Sequence, residues 1–214
     1  MPLVRRGYDR DYFDSRIHRA DGSSVRMENR MNQILRQKSS GRLLEIGPGT
    51  GSLLRRAADY FEVEGIEVAD SAVEMIGEEL RGSVQVGDIQ TVALPTRHYD
   101  VVVAFNVLEH LTDPAAAVGK IRQSLRQGGS LVGSVPLNAS AVGRIHTALT
   151  NVFDRTHVST LAPEQWQAIF LEAGFGKVWF FGEIMFGPNW NVYVEQPVWR
   201  HVAFNLVFAC QVDG

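Results

Sequence analysis

A short apolar run that breaks into alternating glycines is the feature that most restricts the fold of this chain. The segment is RLLEIGPGTGS, residues 42–52, with one acid, Glu45, inside the run and glycines at every second position after it. An apolar run, glycines and then Leu53 and Leu54 predict a strand, a tight turn and a helix. Glycines suit this turn because they accept positive φ and let backbone approach a ligand without a Cβ atom. The N–H groups of the new helix then face whatever fills the crevice.

The rest of the chain predicts further strands and helices in alternation, which is typical of a parallel, doubly wound sheet. An amphipathic helix precedes the first strand, with a stripe formed by Met27, Met31, Ile34 and Leu35. Helices are expected from the glycine turn to Tyr60, from Asp113-Pro114 to Gly128-Gly129, and from Pro163 to Ala173. Asp113 is expected to cap the second of these, and Asp70 or Ser71 is expected to cap the helix after the second strand. The last two strands follow one another without a helix between them, so the final strand is expected to be antiparallel. The seven predicted strands are residues 42–46, 62–67, 83–86, 101–104, 130–135, 178–181 and 204–212.

Length and charge narrow the classes of function. A chain of 214 residues is long enough for one well-buried α/β domain, and we expect a single domain over residues 1–214. The net charge is −3 without a dense basic run, so the sequence shows no electrostatic footprint for nucleic acid. Cys210 is the only cysteine, which excludes a disulfide framework and a multi-cysteine zinc site within one chain. With no apolar run of signal-peptide or membrane-span length, a cytoplasmic protein is expected.

The glycine turn alone does not distinguish nicotinamide dinucleotides from other adenosine cofactors. The usual dinucleotide fingerprint has its third glycine where this chain has Ser52. Glu67 ends the second predicted strand about twenty residues after Gly47, and a carboxylate there can accept hydrogen bonds from the two ribose hydroxyls of either cofactor. Asp88, in the Gly-Asp-Ile turn after the third strand, separates the candidates better, although a Gly-Asp turn is also common at surfaces.

Three segments carry a resemblance to a known family. Acid-x-Gly-x-Gly-x-Gly from Glu45 resembles motif I of class I S-adenosylmethionine-dependent methyltransferases, and Asn106–Leu111 (NVLEHL) resembles a segment of many small-molecule members. Thr156-His157, Pro163-Glu164 and residues 172–175 are similar to ubiquinone-pathway O-methyltransferases. The resemblance covers residues 42–135 well and 156–175 moderately. It implies a Rossmann-like α/β fold with strand order 3-2-1-4-5-7-6, mostly parallel with a reversed last strand and helices on both faces.

The same resemblance implies a site for S-adenosylmethionine. It assigns the ribose to Glu67, the adenine amino group to Asp88 with Ile89 along the base, the methionine part to the glycine turn, and its amino group to Glu45. Asn106 and Val107 follow the buried fourth strand, where this family places the transferred methyl group. The full predicted cofactor set is Glu45, Gly47, Pro48, Gly49, Thr50, Gly51, Glu67, Val68, Asp88, Ile89, Asn106 and Val107.

Two histidines are the candidate catalytic residues. A histidine side chain ordinarily titrates near neutrality, so His157 could accept a proton from a phenol, amine or carboxylic acid. A loop histidine bonded to backbone is the equal alternative. His110 belongs to the resembling Glu-His pair, and we favour a structural role for it. No metal site is predicted. The sequence after strand four lacks the Asp/Asn-Pro-Pro-aromatic motif of nucleic-acid N-methyltransferases, and Cys210 gives no support to a cytosine-C5 mechanism.

These observations predict a methyltransferase that acts on a small molecule by direct in-line displacement. An N-terminal helical cap is expected over residues 1–40. Two insertions, 137–160 and 184–203, are expected to cover the acceptor, the second as an aromatic loop. We expect a small-molecule substrate and a homodimer. We expect neither a nucleic-acid partner nor a membrane span. Two alternatives stay open at this point: an NAD(P)-binding oxidoreductase, and a non-catalytic protein that binds S-adenosylmethionine.

Overall fold

A computed structural model describes residues 24–137, 159, 161–185, 191–195 and 203–214. The helices are α1 Ser24–Gln37, α2 Ser52–Ala57, α3 Asp70–Met75, α4 Glu78–Arg81, α5 Pro114–Ser124 and α6 Pro163–Glu172, with a 3₁₀ turn at Leu108–His110. The strands are β1 Gly41–Ile46, β2 Phe61–Glu67, β3 Val84–Val86, β4 Tyr99–Phe105, β5 Leu125–Pro136, β6 Lys177–Met185, β7 Asn191–Val194 and β8 Asn205–Gln211.

The strands form one sheet in the order β3-β2-β1-β4-β5-β8-β6-β7. The pairs from β3 through β5 are parallel, and β8 runs antiparallel to both β5 and β6. The expected α/β fold with a mostly parallel sheet and a reversed last strand is therefore confirmed. The order of the seven predicted strands is also as expected, because β8 lies between β5 and β6.

The predicted number of strands was wrong: the described part of the chain has eight, not seven. The additional strand, β7, runs antiparallel along the edge of β6 and lies where the sequence predicted only an aromatic loop. It is four residues long, with the sequence NVYV. A run this short is too brief to show the alternation that identifies a strand, so pairing with β6 decides its structure.

Two predicted helix ends were also wrong. Helix α5 ends at Ser124 rather than at Gly128-Gly129, because β5 already begins at Leu125, opposite Tyr99. The two glycines instead lie where the β4–β5 register shifts, and Gly128 has φ +67°. Glycine inside a strand commonly marks such a bulge. Helix α2 ends at Ala57, three residues before the predicted Tyr60.

The apolar core lies on both faces of the sheet. On one face the α1 stripe, Met27, Met31 and Ile34, is buried with α2 and β4, and Leu35 packs at its margin. On the other face α5 and α6 bury Ile121, Trp166 and Phe170. Each such side chain contributes about 1.5–3 kcal/mol through removal of apolar surface from water. Within the described ranges, no helix has the length and apolar character needed to cross a membrane.

Candidate active site

The glycine turn joins β1 to α2 with positive φ at every second residue. The φ values are +70° at Gly47, +54° at Gly49 and +78° at Gly51. A Cβ atom on Gly47 would lie 2.7 Å from Cγ2 of Val107, and one on Gly51 would lie 3.2 Å from Cγ1 of Ile76. Glycine is therefore required here both by backbone conformation and by the closeness of neighbouring elements.

Pro48 and Thr50 complete the turn. Pro48 packs over the next strand: a Cβ atom on Gly65 would lie 3.2 Å from Cγ of Pro48. The carbonyl of Pro48 accepts a hydrogen bond of 2.9 Å from the N–H of Gly51, which closes the turn across Thr50. Thr50 is half-buried. The turn is thus held by its own backbone and by β2.

Glu67 ties the end of β2 to this turn. Its Oε2 accepts a 2.9 Å hydrogen bond from the N–H of Gly49, and its Oε1 accepts one of 2.9 Å from the N–H of Ala69. Burial raises the pKa of Glu67, and hydrogen bonds from the backbone of Ala69, Gly49 and Val68 oppose that rise. Each carboxylate oxygen has a second lone pair, so these bonds leave acceptor capacity for ribose hydroxyls.

The helix that follows, α3, is not capped as the sequence predicted. Its N-cap residue is Ala69, without a side-chain hydrogen bond, and neither Asp70 nor Ser71 occupies that position. The carboxylate of Glu67 instead accepts the N–H of Ala69. One buried acid therefore serves both the glycine turn and the beginning of α3.

Glu45 is the second buried acid beside the turn. Its Oε2 has no hydrogen-bond partner within the described part of the chain. Burial is the main cause that raises the pKa of Glu45 to about 8; Glu67 adds to the rise, whereas Arg30 and the Leu54 backbone oppose it. A buried polar atom without a partner is unusual in folded proteins and is explained where a ligand completes it.

Asp88 and Ile89 form the loop after β3. Asp88 is half-buried and its Oδ1 accepts a 2.9 Å hydrogen bond from the N–H of Gln90, whereas Ile89 is buried. The N–H of Gly87, just before them, donates to the carbonyl of Glu67 at 2.8 Å. This bond brings the Asp88 loop next to the end of β2.

Lys120, on α5, stabilises the loop that carries Asp88 and Ile89. Its Nζ donates to three backbone carbonyls, those of Ile89, Gln90 and Val92, each at 2.9 Å. These bonds use all three protons of the ammonium group. The sequence analysis missed Lys120, since a single helical lysine gives no signal of a partner thirty residues earlier.

The segment after β4 carries the next predicted residues. Asn106 has φ +55°; its N–H donates to the carbonyl of Ser134 at 2.9 Å and its Oδ1 accepts from the Ser134 hydroxyl at 3.0 Å. Val107 lies against Gly47. A non-glycine residue with positive φ is uncommon, and asparagine tolerates it better than most residues.

His110 and Glu109 lie in the 3₁₀ turn just beyond. Glu109 is buried, and Nε2 of His110 is 4.0 Å from its Oε1. Ser159 docks on this turn: its N–H donates to the carbonyl of Glu109 and its hydroxyl to that of Leu111, both at 2.8 Å. His157 lies outside the described residues, as do most of the predicted insertions 137–160 and 184–203.

The structure thus brings the predicted cofactor residues together at the carboxyl ends of β1 to β4. The glycine turn contacts Glu67 on one side and Val107 on the other, and the Asp88 loop joins β2 through Gly87. In open α/β sheets, ligands bind at this edge, where strand order reverses. Here the reversal falls between β1 and β4.

A buried polar cluster that the sequence analysis missed lies on the same edge, toward β7. Glu183 on β6 is its centre: Nε and Nη2 of Arg26 donate to Glu183 at 3.1 and 3.2 Å, and the amides of Asn191 and Asn205 donate at 2.7 and 2.6 Å. Burial acts to raise the pKa of Glu183, but Arg26, Arg30 and these bonds hold it below its usual range. An acid inside the apolar run FFGEIM was the available signal.

Arg30, on α1, is near enough for its charge to act on both this cluster and Glu45. Its guanidinium carbon is 4.8 Å from the ring centroid of Phe105, at the end of β4. Its charge lowers the pKa of both Glu45 and Glu183. Helix α1 therefore places positive charge along the site from the glycine turn to β6.

Comparison with known proteins identifies the family. A model described as a methyltransferase domain matches residues 18–178, most of the chain. The chain belongs to this methyltransferase family. It is similar to a malonyl-[acyl-carrier protein] O-methyltransferase of Paenibacillus sp. (strain JDR-2), 25% identical over 199 residues that cover 82% of this chain and 72% of that protein. It is also similar to a ubiquinone biosynthesis O-methyltransferase of Nitrosomonas europaea, 32% identical over 108 residues that cover 47% of this chain and 46% of that one.

A solved structure supports the fold of this methyltransferase. An S-adenosylmethionine-dependent methyltransferase from Thermotoga maritima, described as a possible histamine N-methyltransferase, superposes with a TM-score of 0.73 at 18% identity and covers 94% of this chain and 97% of that one. The resemblance to class I S-adenosylmethionine-dependent methyltransferases is confirmed. The protein is an enzyme of this class, and its cofactor is S-adenosylmethionine rather than NAD.

The residues of the edge fit this cofactor. The glycine turn, residues 47–51, forms a cradle with glycine at every second position, and the N–H groups of a new helix begin there. Beside it Glu45 has a buried oxygen without a partner in the described structure, suited to a cationic amino group. Glu67 and Asp88 retain acceptor capacity for hydroxyls and an exocyclic amine.

Proposed function

We propose that the carboxyl edge of β1 to β4 binds S-adenosylmethionine through the predicted residues and directs its methyl group to a small-molecule acceptor. Glu67 takes the ribose, Asp88 and Ile89 the adenine, and the glycine turn with Glu45 the methionine part. The observation that carries this proposal is the 2.9 Å bond from Gly49 N–H to Glu67. It fixes a carboxylate beside the cradle, where a nucleoside would span both.

The chain acts mainly by positioning. S-adenosylmethionine, when bound, supplies a methyl group on a positively charged sulfur that is transferred directly. Direct displacement needs no covalent enzyme intermediate, so the protein holds the acceptor atom in line at about 3–3.5 Å, which can contribute several kcal/mol. Asn106 and Val107, at the end of β4, stand at this reacting part of the site.

We propose His157 as the group that accepts the acceptor proton. Support comes from chain position: Ser159, two residues later in the sequence, is anchored to the turn that carries Glu109 and His110. For His110 we propose a structural role beside buried Glu109. The test measures turnover as a function of pH. His157→Ala is expected to lower turnover, while its affinity for S-adenosylhomocysteine stays within twofold of wild type. Unchanged turnover would make His157 structural.

The wider organisation also remains a proposal. We propose a single domain over residues 1–214 in which residues 1–40, 137–160 and 184–203 cover the acceptor. A cytoplasmic location is supported by the single cysteine, Cys210, which is buried. The homodimer stays a prediction from the sequence, and sedimentation of the purified protein would test it.

Titration calorimetry tests the cofactor assignment. Wild-type protein is expected to bind S-adenosylhomocysteine saturably and not to bind NAD, and Asp88→Ala is expected to weaken binding about tenfold through loss of one charge-assisted hydrogen bond. The control is Asp59→Ala, an exposed acid outside the edge. Absence of binding by wild type would overturn the proposed site, and wild-type affinity in Asp88→Ala would remove Asp88 from it.

A further inference from the structure

Two polar atoms of β7 are buried without a partner. The hydroxyl of Tyr193 and Oδ1 of Asn191 have no hydrogen-bond partner in the described structure. The two residues are two apart on one strand, so they share a face of the sheet. Leaving a buried polar atom unsatisfied destabilises the fold, and a bound ligand can recover that loss.

The carboxylate of Glu183 determines the hydrogen-bonding roles of the polar atoms of Asn191 and Tyr193. Glu183 is ionised and accepts only, so Asn191 must turn its Nδ2 toward Glu183, at 2.7 Å, and its Oδ1 away. The charge of Glu183 therefore determines the orientation of the Asn191 amide. Burial first, and then the charge of Glu183, raises the pKa of Tyr193, so its phenol keeps its proton. The pair offers an amide oxygen that accepts and a phenol that can both donate and accept.

Strand register places this pair on the acceptor side of the cofactor site. Tyr193 is opposite Glu183, Glu183 is opposite Asn205, and Asn205 is opposite Pro136. Pro136 follows two residues after Ser134, whose hydroxyl binds Asn106. At about 4.8 Å per strand, the row from Tyr193 to Pro136 spans about 15 Å.

The same row lies under helix α1. Arg26 reaches Glu183 from this helix, and Asn29 donates to the carbonyl of Asn191 at 2.8 Å. The charge of Arg30 acts on Glu45 at one end of the edge and on Tyr193 at the other. The two ends therefore lie on the face of the sheet that α1 covers.

We propose that Asn191 and Tyr193 form a recognition site for a hydroxyl group of the methyl acceptor, remote from the atom that receives the methyl. A hydroxyl donates to Oδ1 of Asn191 and accepts from the Tyr193 phenol, which satisfies both atoms at once. A carboxylate has no proton for Oδ1, and an ammonium can donate to both oxygens but leaves the phenol proton without an acceptor. The site therefore selects extended acceptors that carry a hydroxyl remote from the reacting atom. This inference rests on the proposed function.

The test uses pairs of compounds that differ in one distal hydroxyl. The probes are 4,4'-dihydroxybiphenyl with 4-hydroxybiphenyl and 1,8-octanediol with 1-octanol, assayed by release of S-adenosylhomocysteine. Wild type is expected to prefer the dihydroxy member of at least one pair about tenfold or more in kcat/KM, since a polar site left unpaired discriminates strongly. Tyr193→Phe is expected to lose most of this preference through a higher KM.

Controls separate recognition from structure. Tyr60→Phe removes the hydroxyl of an exposed tyrosine that follows α2 in the chain and is expected to keep the preference. Because the Tyr193 hydroxyl has no partner in the described chain, Tyr193→Phe is expected to leave the melting temperature unchanged or raised, whereas a structural hydroxyl would lower it.

The outcomes also separate this inference from the cofactor assignment. Binding of S-adenosylhomocysteine by wild type with no methylation of any probe, or an equal preference in Tyr193→Phe, would overturn hydroxyl recognition alone. Failure of wild type to bind S-adenosylhomocysteine would overturn the proposed function beneath it.

Discussion

At the scale of single residues, the site depends on an acid whose charge is suppressed. Glu45 has a pKa of about 8, raised mainly by burial. The folded state therefore binds a proton that the unfolded state releases near the ordinary value of about 4.3. Between these two values folding is linked to proton uptake, so stability falls as pH rises.

Substitution of Glu45 should remove this pH dependence. Wild type is expected to lose stability relative to Glu45→Gln from pH 5 to pH 8, by at most about 1.4 kcal/mol per pH unit for one proton. Urea unfolding at pH 5, 6.5 and 8 measures the difference, with exposed Glu74→Gln as the matched control. Parallel pH curves for wild type and Glu45→Gln would show that Glu45 ionises normally in the fold.

Gly47 tests the cradle at the same scale. Its φ of +70° and the 2.7 Å approach of Val107 both oppose a side chain. Gly47→Ala is expected to cost about 2–3 kcal/mol, of which about 1–2 is the left-handed backbone, and to weaken binding of S-adenosylhomocysteine at least tenfold. Gly82→Ala is the control, because its φ is −69° and nothing lies within 4 Å of the new Cβ. Calorimetry with normal affinity for Gly47→Ala would contradict the cradle.

At the scale of elements, helix α5 acts on a loop from a different layer. Lys120 binds three carbonyls of the loop that carries Asp88 and Ile89. Lys120→Met keeps the length of the side chain but removes these donors. We expect about tenfold weaker binding of S-adenosylhomocysteine, as the loop loses its fixed position.

Recognition of the adenine amino group distinguishes a positioning role of Lys120 from a role in overall stability. Wild type should prefer S-adenosylhomocysteine over the inosine analogue that lacks this amine, and Lys120→Met should reduce that preference. Exposed Lys177→Met is the matched control. A lower melting temperature with the preference intact would mean that Lys120 only stabilises the fold.

Elements also show what the sequence could and could not predict. Apolar runs such as residues 101–104 identified the central strands, because these strands are buried on both faces. Asp113 was correctly predicted as a cap: its Oδ1 accepts the N–H of Ala116 at 2.9 Å. By contrast, the end of α5 depends on the pairing of β5 with β4, and β7 forms only against β6. Local patterns do not contain that pairing.

At the scale of the whole molecule, the same limit explains which parts of the site could be predicted from the sequence. The glycine turn and its acids lie within one stretch of sequence with fixed spacing, so a motif could predict them. Arg26 and Glu183 are 157 residues apart, and only the packing of α1 across the sheet brings them together. Buried charge pairs of this kind leave no periodic trace, and removing one partner typically costs 3–5 kcal/mol.

The continuous sheet leads to a prediction for the whole chain. β5 joins β4 on one side and β8 on the other, so the cofactor half and the β6–β8 half share one set of strands and cores. We expect one cooperative unfolding transition, in which S-adenosylhomocysteine at one hundred times its Kd adds about 2.7 kcal/mol. Circular dichroism reports all helices and tryptophan fluorescence includes Trp166, which is buried in the second half. Both signals should shift together on ligand addition, because binding to the native state stabilises every element that unfolds with it. A ligand shift confined to circular dichroism would divide the chain into two independent units and contradict the single domain.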